Sequence, residues 1–139
     1  TMVGELLHDI MAAVHDKAFG FDHADTVGRA RAWIQEGLYT VILATLDSKP
    51  VAFLSLHESY ALYTEGVYGT IPEFYVRSLH RSQGIGSALL ADAGQIGQKR
   101  GWKRLEVTTP PLPQFDRTLS FYQRHGFTIS GGRKLKLNL

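Results

Sequence analysis

The sequence predicts an α/β fold in which helices flank a mixed sheet. Two observations support this prediction: segments with helical periodicity alternate with apolar, β-branched segments, and their order is helix, helix, three strands, helix, strand, helix and two strands. The chain has 139 residues, of which 44% are apolar and 20% are charged. This size and balance fit one core, so we expect a single domain over residues 1–139.

Two helices are expected at the start of the chain. Apolar residues in the segment 5–19 recur at spacings of three and four, which indicates an amphipathic helix. A second helix is predicted to start near His23 or Asp25 and to stop at Gly37. Trp33 is expected to lie in the core.

A β-hairpin is predicted next. The runs 39–46 and 51–56 are rich in apolar and β-branched residues, and the turn residues Asp47 to Pro50 join them. The following segment, 57–69, contains aromatic residues, glutamates and glycines without a clear period. We interpret it as a loop or as ragged strand ends of the kind that shape substrate pockets.

Strands and helices alternate in the rest of the predicted fold. Helices are expected at residues 84–100 and at about 114–124. Strands are expected at residues 71–76, 104–109 and 127–130, with a short last strand after Gly131 and Gly132.

The composition excludes several classes of function. The chain has no cysteine, so disulfides, thiolate metal sites and a cysteine nucleophile are absent, which suits a cytoplasmic location. The six histidines lack the spacing of a helical metal site, and no metal is expected. No apolar run approaches the ~20 residues that cross a bilayer, and the N-terminal residues do not resemble a signal peptide. We therefore expect a soluble protein without a membrane partner.

The charge is distributed unevenly along the chain. Residues 1–70 have four Lys or Arg against nine Asp or Glu, a net −5, whereas residues 71–139 have eleven against four, a net +7. A basic half attracts nucleic acid or the phosphates of a cofactor, and an acidic half favours a cationic acceptor. The alternative interpretation is a solvated surface of mixed charge.

The segment 74–87 is the most informative, because a predicted strand passes through a glycine-containing turn directly into a helix. The amides at a helix N-terminus, the helix dipole and a close-approaching glycine backbone together favour a bound phosphate. A dinucleotide fingerprint would need a small residue at Leu89, and a P-loop would need Gly-Lys-Ser/Thr, so neither motif is present.

The run Arg81-Ser82-Gln83-Gly84-Ile85-Gly86 resembles the pyrophosphate motif Arg/Gln-x-x-Gly-x-Gly/Ala of the GNAT acyltransferase superfamily. The strand Phe74-Tyr75-Val76 and the segment 119–127 resemble family segments in the same order. This resemblance implies a mixed, mostly antiparallel sheet of about six strands flanked by four helices, in which the first family strand is absent, trimmed or supplied by another chain. It also implies acetyl-CoA as the acyl donor.

The resemblance assigns residues to the binding of acetyl-CoA. The backbone of the strand before the turn would contact the pantetheine arm, and the turn with Arg81 would contact the diphosphate. The implied set is Tyr75, Val76, Arg81, Ser82, Gln83, Gly84, Ile85, Gly86 and Ser87.

The resemblance also assigns catalytic roles. Tyr122 would be the acid that donates to the cofactor sulfur, or alternatively an ordinary buried helix tyrosine. Glu73 would accept a proton from the acceptor, directly or through water, or alternatively be structural. Glu58, Glu65 and His57 are the other candidates for the base. A backbone amide near Tyr75 or Val76 would face the oxyanion.

The acceptor is expected at the aromatic segment 57–69, whose acidic and aromatic residues could attract a cationic amine or could simply be packing and solvated charge. The candidate residues are Glu58, Tyr60, Glu65 and Tyr68.

Three functions follow from these assignments. The first is an N-acetyltransferase that moves an acetyl group from acetyl-CoA to a primary amine of a small molecule or peptide by direct attack in a ternary complex. The second is a non-catalytic acyl-CoA sensor. The third is a nucleic-acid-binding module that uses the basic half, although no nucleic-acid motif supports it and no such partner is expected. A homodimer is compatible with all three.

Overall fold

The structure, a computed structural model, describes residues 1–6, 22–109 and 113–139. Residues 2–6 are helical and are called α1 here, while most of the helix predicted over 5–19 lies outside the described residues. The contacts between residues divide the chain into two compact units, Thr1–Thr108 and Thr109–Leu139. The single domain expected from the sequence therefore stays a prediction.

In the described residues, the first unit is built on a mixed five-stranded sheet, so the predicted α/β fold is confirmed with one described strand fewer than the expected six. Its order is β1-β2-β3-β5, and β4 pairs with β2. The β3–β5 pair is parallel and the other three pairs are antiparallel. The strands are β1 Thr40–Leu46, β2 Lys49–Ala61, β3 Gly66–Ile71, β4 Phe74–Val76 and β5 Leu105–Val107.

Two further helices belong to this unit, α2 His23–Gln35 and α3 Ile85–Lys99. The side chain of Asp22 caps α2 by accepting from the Asp25 amide at 2.9 Å. None of the residues of α2 is buried, and Trp33 is 40% exposed. The expectation that Trp33 lies in the core is thus wrong, because α2 does not bury its apolar side chains within the described part of the chain.

The segment 57–69, expected to be a loop or ragged strand ends, instead forms a regular hairpin. Strand β2 continues to Ala61, a 3₁₀ turn spans Leu62–Thr64, and β3 returns from Gly66. The pairing runs from His57 opposite Thr70 to Ala61 opposite Gly66. Much of this hairpin is partly or fully exposed on both faces, so the sequence lacks the apolar alternation that marks a half-buried strand.

A β-bulge divides the strand that was predicted over residues 71–76. His57 pairs with Thr70, but Leu54 pairs with Phe74, so the returning strand contains one extra residue relative to β2. Ser55 faces the bulge: its amide donates to the Glu73 carbonyl at 2.9 Å, and the Glu73 amide donates to Ser55 Oγ at 3.1 Å. The bulge therefore fixes Glu73 beside β2.

Strands β4 and β5 separate at the same point. Strand β5 pairs with β3 as far as Ile71 opposite Val107, whereas β4 begins beyond the bulge and pairs with β2. In the described ranges, β4 and β5 share no ladder. Among the strands that the structure describes, none therefore pairs with the edge of β4 that faces away from β2.

The core of the first unit lies around the centre of β2. All six residues from Val51 to Leu56 are buried, and α3 contributes Leu89, Leu90 and Ala93. A strand covered on both faces has a near-continuous apolar sequence, here interrupted only by Ser55, which is why the sequence predicts this strand.

The second unit contains the 3₁₀ turn Pro113–Phe115 and the helix α4, Asp116–Arg124. Tyr122 is buried, and its ring lies 5.4 Å from that of Phe121 and 5.3 Å from that of Phe127. The strands expected after Gly126 are wrong: residues 127–139 form no strand. Glycines with positive φ interrupt this segment, and Leu135, Leu137 and Leu139 are exposed.

Two glycines allow a matched test of the packing. A Cβ at Gly69 would collide with the Trp102 ring and lie 2.8 Å from Leu105 Cδ2, whereas a Cβ at Gly94 in α3 would meet nothing within 4 Å. We expect Gly69→Ala to lower the free energy of unfolding by about 1–3 kcal/mol. Gly94→Ala should raise it by up to about 1 kcal/mol. Urea unfolding measures both, and equal stability of the two variants would contradict this packing.

Candidate functional site

A tight turn connects β4 to α3. A 3₁₀ turn spans Ser78–His80, Arg81 is extended, and two later residues have positive φ, Ser82 at 63° and Gly84 at 83°. Left-handed backbone is favourable for Gly84 but costs a residue with a Cβ about 1–2 kcal/mol. The chain accepts this strain at Ser82, which lets it reverse sharply before the helix.

The first turn of α3 has the features of an anion site. Gly84 is the N-cap, and no side chain caps the helix, so the first amides of α3 point outward at the positive end of its dipole. A Cβ at Gly84 would meet nothing within 4 Å, which leaves open space next to the backbone. The structure therefore brings the predicted residues 81–87 together around one helix N-terminus, a geometry that is favourable for an anion.

Arg81 is held beside this turn. Its Nε donates to the Val76 carbonyl at 2.8 Å, and its guanidinium lies 5.4 Å from the centre of the Tyr75 ring. Arg77, which the sequence analysis did not single out, binds Glu5 at 3.1 Å and donates to the Pro50 carbonyl at 2.8 Å. Arg81 supplies positive charge at the turn, whereas Arg77 ties α1 to the sheet.

The register of β4 decides which of its backbone groups face its uncovered edge. The Glu73 carbonyl accepts from β2 and the Arg77 amide donates to the Val51 carbonyl at 2.9 Å. Since backbone direction alternates along an antiparallel strand, the backbone of Tyr75 also faces β2 and that of Val76 faces the opposite edge. Of the two predicted residues, Val76 is thus the one whose amide points away from β2.

Glu73 lies in a network of hydroxyl groups. Tyr39 Oη donates to its carboxylate at 2.8 and 3.1 Å, and Ser55 Oγ donates to the same carboxylate. Burial raises the pKa of Tyr39, and the charge and hydrogen bond of Glu73 raise it further. Tyr39 is therefore a neutral donor that fixes the carboxylate in one orientation. Neither Tyr39 nor Ser55 was identified from sequence, because Tyr39 is 34 positions from Glu73.

The other candidate bases have different surroundings. Glu58 accepts from Trp102 Nε1 and from Tyr60 Oη, each at 3.0 Å, and these hydrogen bonds, that of Trp102 first, lower its pKa. Side chains alternate along a strand, so Glu58 and His57 point to opposite faces of β2. Glu65 is exposed in the hairpin turn with a φ of 60°.

Comparison with known proteins identifies the family of this chain. The sequence model of the acetyltransferase (GNAT) domain matches residues 37–129. The chain belongs to the GNAT acetyltransferase family. The family that the sequence resembles is thereby confirmed. A comparison with curated proteins gives no match.

Solved structures share the fold of this GNAT chain. A transcriptional regulator from Bacillus halodurans is 28% identical with a TM-score of 0.68, over 81% of this chain and 76% of that chain. A ribosomal-protein-alanine N-acetyltransferase from Brucella melitensis is 22% identical with a TM-score of 0.65, over 79% and 78%. An aminoglycoside acetyltransferase from an uncultured soil metagenomic sample is 20% identical with a TM-score of 0.74, over 93% and 82%.

The residues expected to bind the acceptor are distributed over the hairpin of the GNAT chain. Tyr60 and Glu65 line an open cavity of about 660 Å³ together with Leu62 and Val67. Glu58 is bound to Trp102, and Tyr68 lies under the guanidinium of Arg104 at 5.6 Å. The four predicted residues therefore do not converge on one ligand position.

A second cavity lies against the network of Glu73. It measures about 290 Å³ and is lined by Trp33, Leu38, Tyr39, His57 and Glu58. The sequence alone does not predict this cavity, because its walls come from α2, from β2 and from the segment that precedes β1. Tyr39 belongs both to this wall and to the hydrogen bonds of Glu73.

Tyr122 occupies the second unit of the GNAT chain. Burial raises its pKa, so the phenol keeps its proton. The role of Tyr122 as an acid stays a prediction.

Over the described ranges 1–6, 22–109 and 113–139, no cluster of three or more His, Cys, Asp or Glu side chains is arranged to hold a metal ion. Within the same ranges, no helix combines the length and apolar character needed to cross a bilayer.

The raised pKa of Tyr39 predicts how stability depends on pH. Because the folded protein holds this proton more tightly, the associated stability is fully present below the unfolded tyrosine pKa of about 10 and is lost as pH rises above it. We expect Tyr39→Phe to make the fall in the free energy of unfolding between about pH 8 and about pH 11 smaller than in the wild type. Urea unfolding at the two pH values measures it, and an unchanged fall would show that this proton is not linked to folding.

Proposed function

We propose that this GNAT-family chain transfers an acetyl group from acetyl-CoA to a primary amine by direct attack in a ternary complex. The main support for this proposal is the N-terminus of α3, which follows Gly84 and has no side-chain cap. Its amides, the open space at Gly84 and the charge of Arg81 are suitable for binding a diphosphate. Acetyl-CoA would supply an activated acetyl thioester.

The residues that would hold acetyl-CoA come from β4 and the turn. Amides of the first turn of α3, from Ile85 to Ser87, would donate to the diphosphate, and Arg81 would add a charge-assisted contact. The amide of Val76 faces the uncovered edge of β4, where it could donate to the pantetheine arm or to the developing oxyanion.

Glu73 is the proposed base. A carboxylate offers about four acceptor positions, so the hydroxyls of Tyr39 and Ser55 leave room for an amine N–H or a water molecule. A carboxylate is a weaker base than an alkylamine. Glu73 would therefore take the proton while the new C–N bond makes the nitrogen acidic, and Tyr39 and Ser55 would act as positioning residues.

Tyr122 is the proposed donor to the departing sulfur. A phenol whose pKa is raised keeps its proton at neutral pH, so Tyr122 would stabilise the thiolate through a hydrogen bond. This role rests on the resemblance of the segment 119–127 to the family.

Calorimetry with acetyl-CoA, followed by a thiol-release assay over a panel of amines, tests the proposed function. Affinity for acetyl-CoA and amine-dependent release of free CoA are expected. No affinity would overturn the proposal. Affinity without thiol release from any amine would favour the acyl-CoA sensor instead.

Gly84→Ala tests the turn. The new Cβ meets open space, so its effect comes from the left-handed φ of 83°, which costs about 1–2 kcal/mol. If the turn relaxes to avoid this strain, the amides lose their common direction, and we expect the Kd for acetyl-CoA to rise about tenfold or more. Gly94→Ala, farther along α3, is the control and should leave the Kd unchanged; similar Kd values for both variants would exclude the turn as the binding site.

Glu73→Gln tests the base. The amide retains the shape of the side chain but cannot accept a proton, so we expect kcat to fall about 10²-fold or more while the Kd for acetyl-CoA stays within about twofold. Glu106→Gln, which removes a carboxylate paired with Arg104, is the control and should keep kcat. A Glu73→Gln variant with wild-type kcat would remove Glu73 from catalysis.

A further inference from the structure

The cavity next to Tyr39 has a wall of aromatic rings. The Trp33 and Tyr39 ring centres are 5.3 Å apart, and the rings of Tyr39 and His57 are nearly parallel with centres 6.1 Å apart. Trp33 is 40% exposed and Leu38 is 57% exposed, so their apolar surfaces remain accessible. Such a wall favours a flat apolar group, because aromatic rings attract one another in offset and edge-to-face arrangements.

The cavity is a small depression that is open to solvent. At about 290 Å³, it lies at the lower end of the roughly 300–1,000 Å³ range of small-molecule pockets. This space suits a ligand with one ring better than an oligosaccharide with several rings.

The charges at this cavity limit the number of amino groups. Glu58 contributes to the lining, but its carboxylate is bound to Trp102 on the other face of β2. Glu73 is not one of the lining residues, but its carboxylate accepts a hydrogen bond from the hydroxyl of Tyr39, which belongs to the wall. One carboxylate matches one ammonium group, whereas a polyamine or an aminoglycoside would bring further cations without partners.

On the basis of the proposed function, we infer that the acceptor is an arylalkylamine: a primary amine joined by a short chain to a single aromatic ring. The ring packs against Trp33 and Tyr39, and the amino group is directed to Glu73. This assignment makes Trp33 a specificity-determining residue, and it differs from the acceptor site that the sequence predicted on the hairpin.

A matched panel of amines tests the substrate class. Acetyl-CoA affinity is measured first by calorimetry, and thiol release is then measured with 2-phenylethylamine, 2-cyclohexylethylamine, spermidine and kanamycin. We expect kcat/KM for 2-phenylethylamine to exceed that for its cyclohexyl analogue by about two- to tenfold, the range of an aromatic pair. The polycations should be poorer still.

The outcomes separate this inference from the proposed function. Thiol release with spermidine, kanamycin or the cyclohexyl analogue that equals or exceeds release with 2-phenylethylamine would overturn the inference and leave the acetyltransferase intact. Absence of thiol release with every amine would overturn both.

Variants of Trp33 locate the acceptor. We expect Trp33→Leu to raise KM for 2-phenylethylamine about two- to tenfold, with kcat and acetyl-CoA affinity within about twofold of the wild type. Trp33→Phe should restore most of the affinity because it restores a ring. Loss of acetyl-CoA affinity in Trp33→Leu would point to a general structural role and overturn the assignment.

The hairpin cavity provides the opposite control. Leu62 is fully exposed there, so Leu62→Ser should fold normally and keep the KM of the wild type. A raised KM in Leu62→Ser together with an unchanged KM in Trp33→Leu would place the acceptor on the hairpin and refute the inference.

Discussion

The β-bulge opposite Ser55 is the constraint on which the first unit depends. One extra residue between β3 and β4 changes their register against β2. The change brings Glu73 into hydrogen-bonding distance of Tyr39 and Ser55. It also ends the ladder of β3 with β5, so that the next residues continue along β2 alone. A single local irregularity thus positions the carboxylate and exposes the strand edge that leads into the glycine turn.

The sequence predicted the elements whose signals are local. The turn before α3 contains a glycine with positive φ followed by a helix, and both features can be recognised in a short run of residues. The buried centre of β2 was likewise evident as an apolar run interrupted only by Ser55. For these two elements, the prediction from neighbouring residues agrees with the structure.

The sequence failed where distant parts of the chain decide the outcome. The hairpin over residues 57–69 is held by cross-strand pairing, so its sequence has no apolar period. Trp33 was expected in the core, but exposure depends on what covers α2. The network of Glu73 joins residues far apart in sequence, and the cavity of Trp33, Tyr39 and His57 forms only when α2 and β2 come together. No local pattern records these contacts.

Tyr39 has two tasks that cannot be varied independently. Its ring is part of the cavity wall, and its hydroxyl holds the carboxylate of Glu73. An acceptor that tilts the Tyr39 ring would also move its hydroxyl group. The carboxylate of Glu73 would then lose the hydrogen bond that holds its orientation. A poorly fitting acceptor would then lower the rate of acetyl transfer as well as the binding affinity, because it would disturb the carboxylate that must accept its proton.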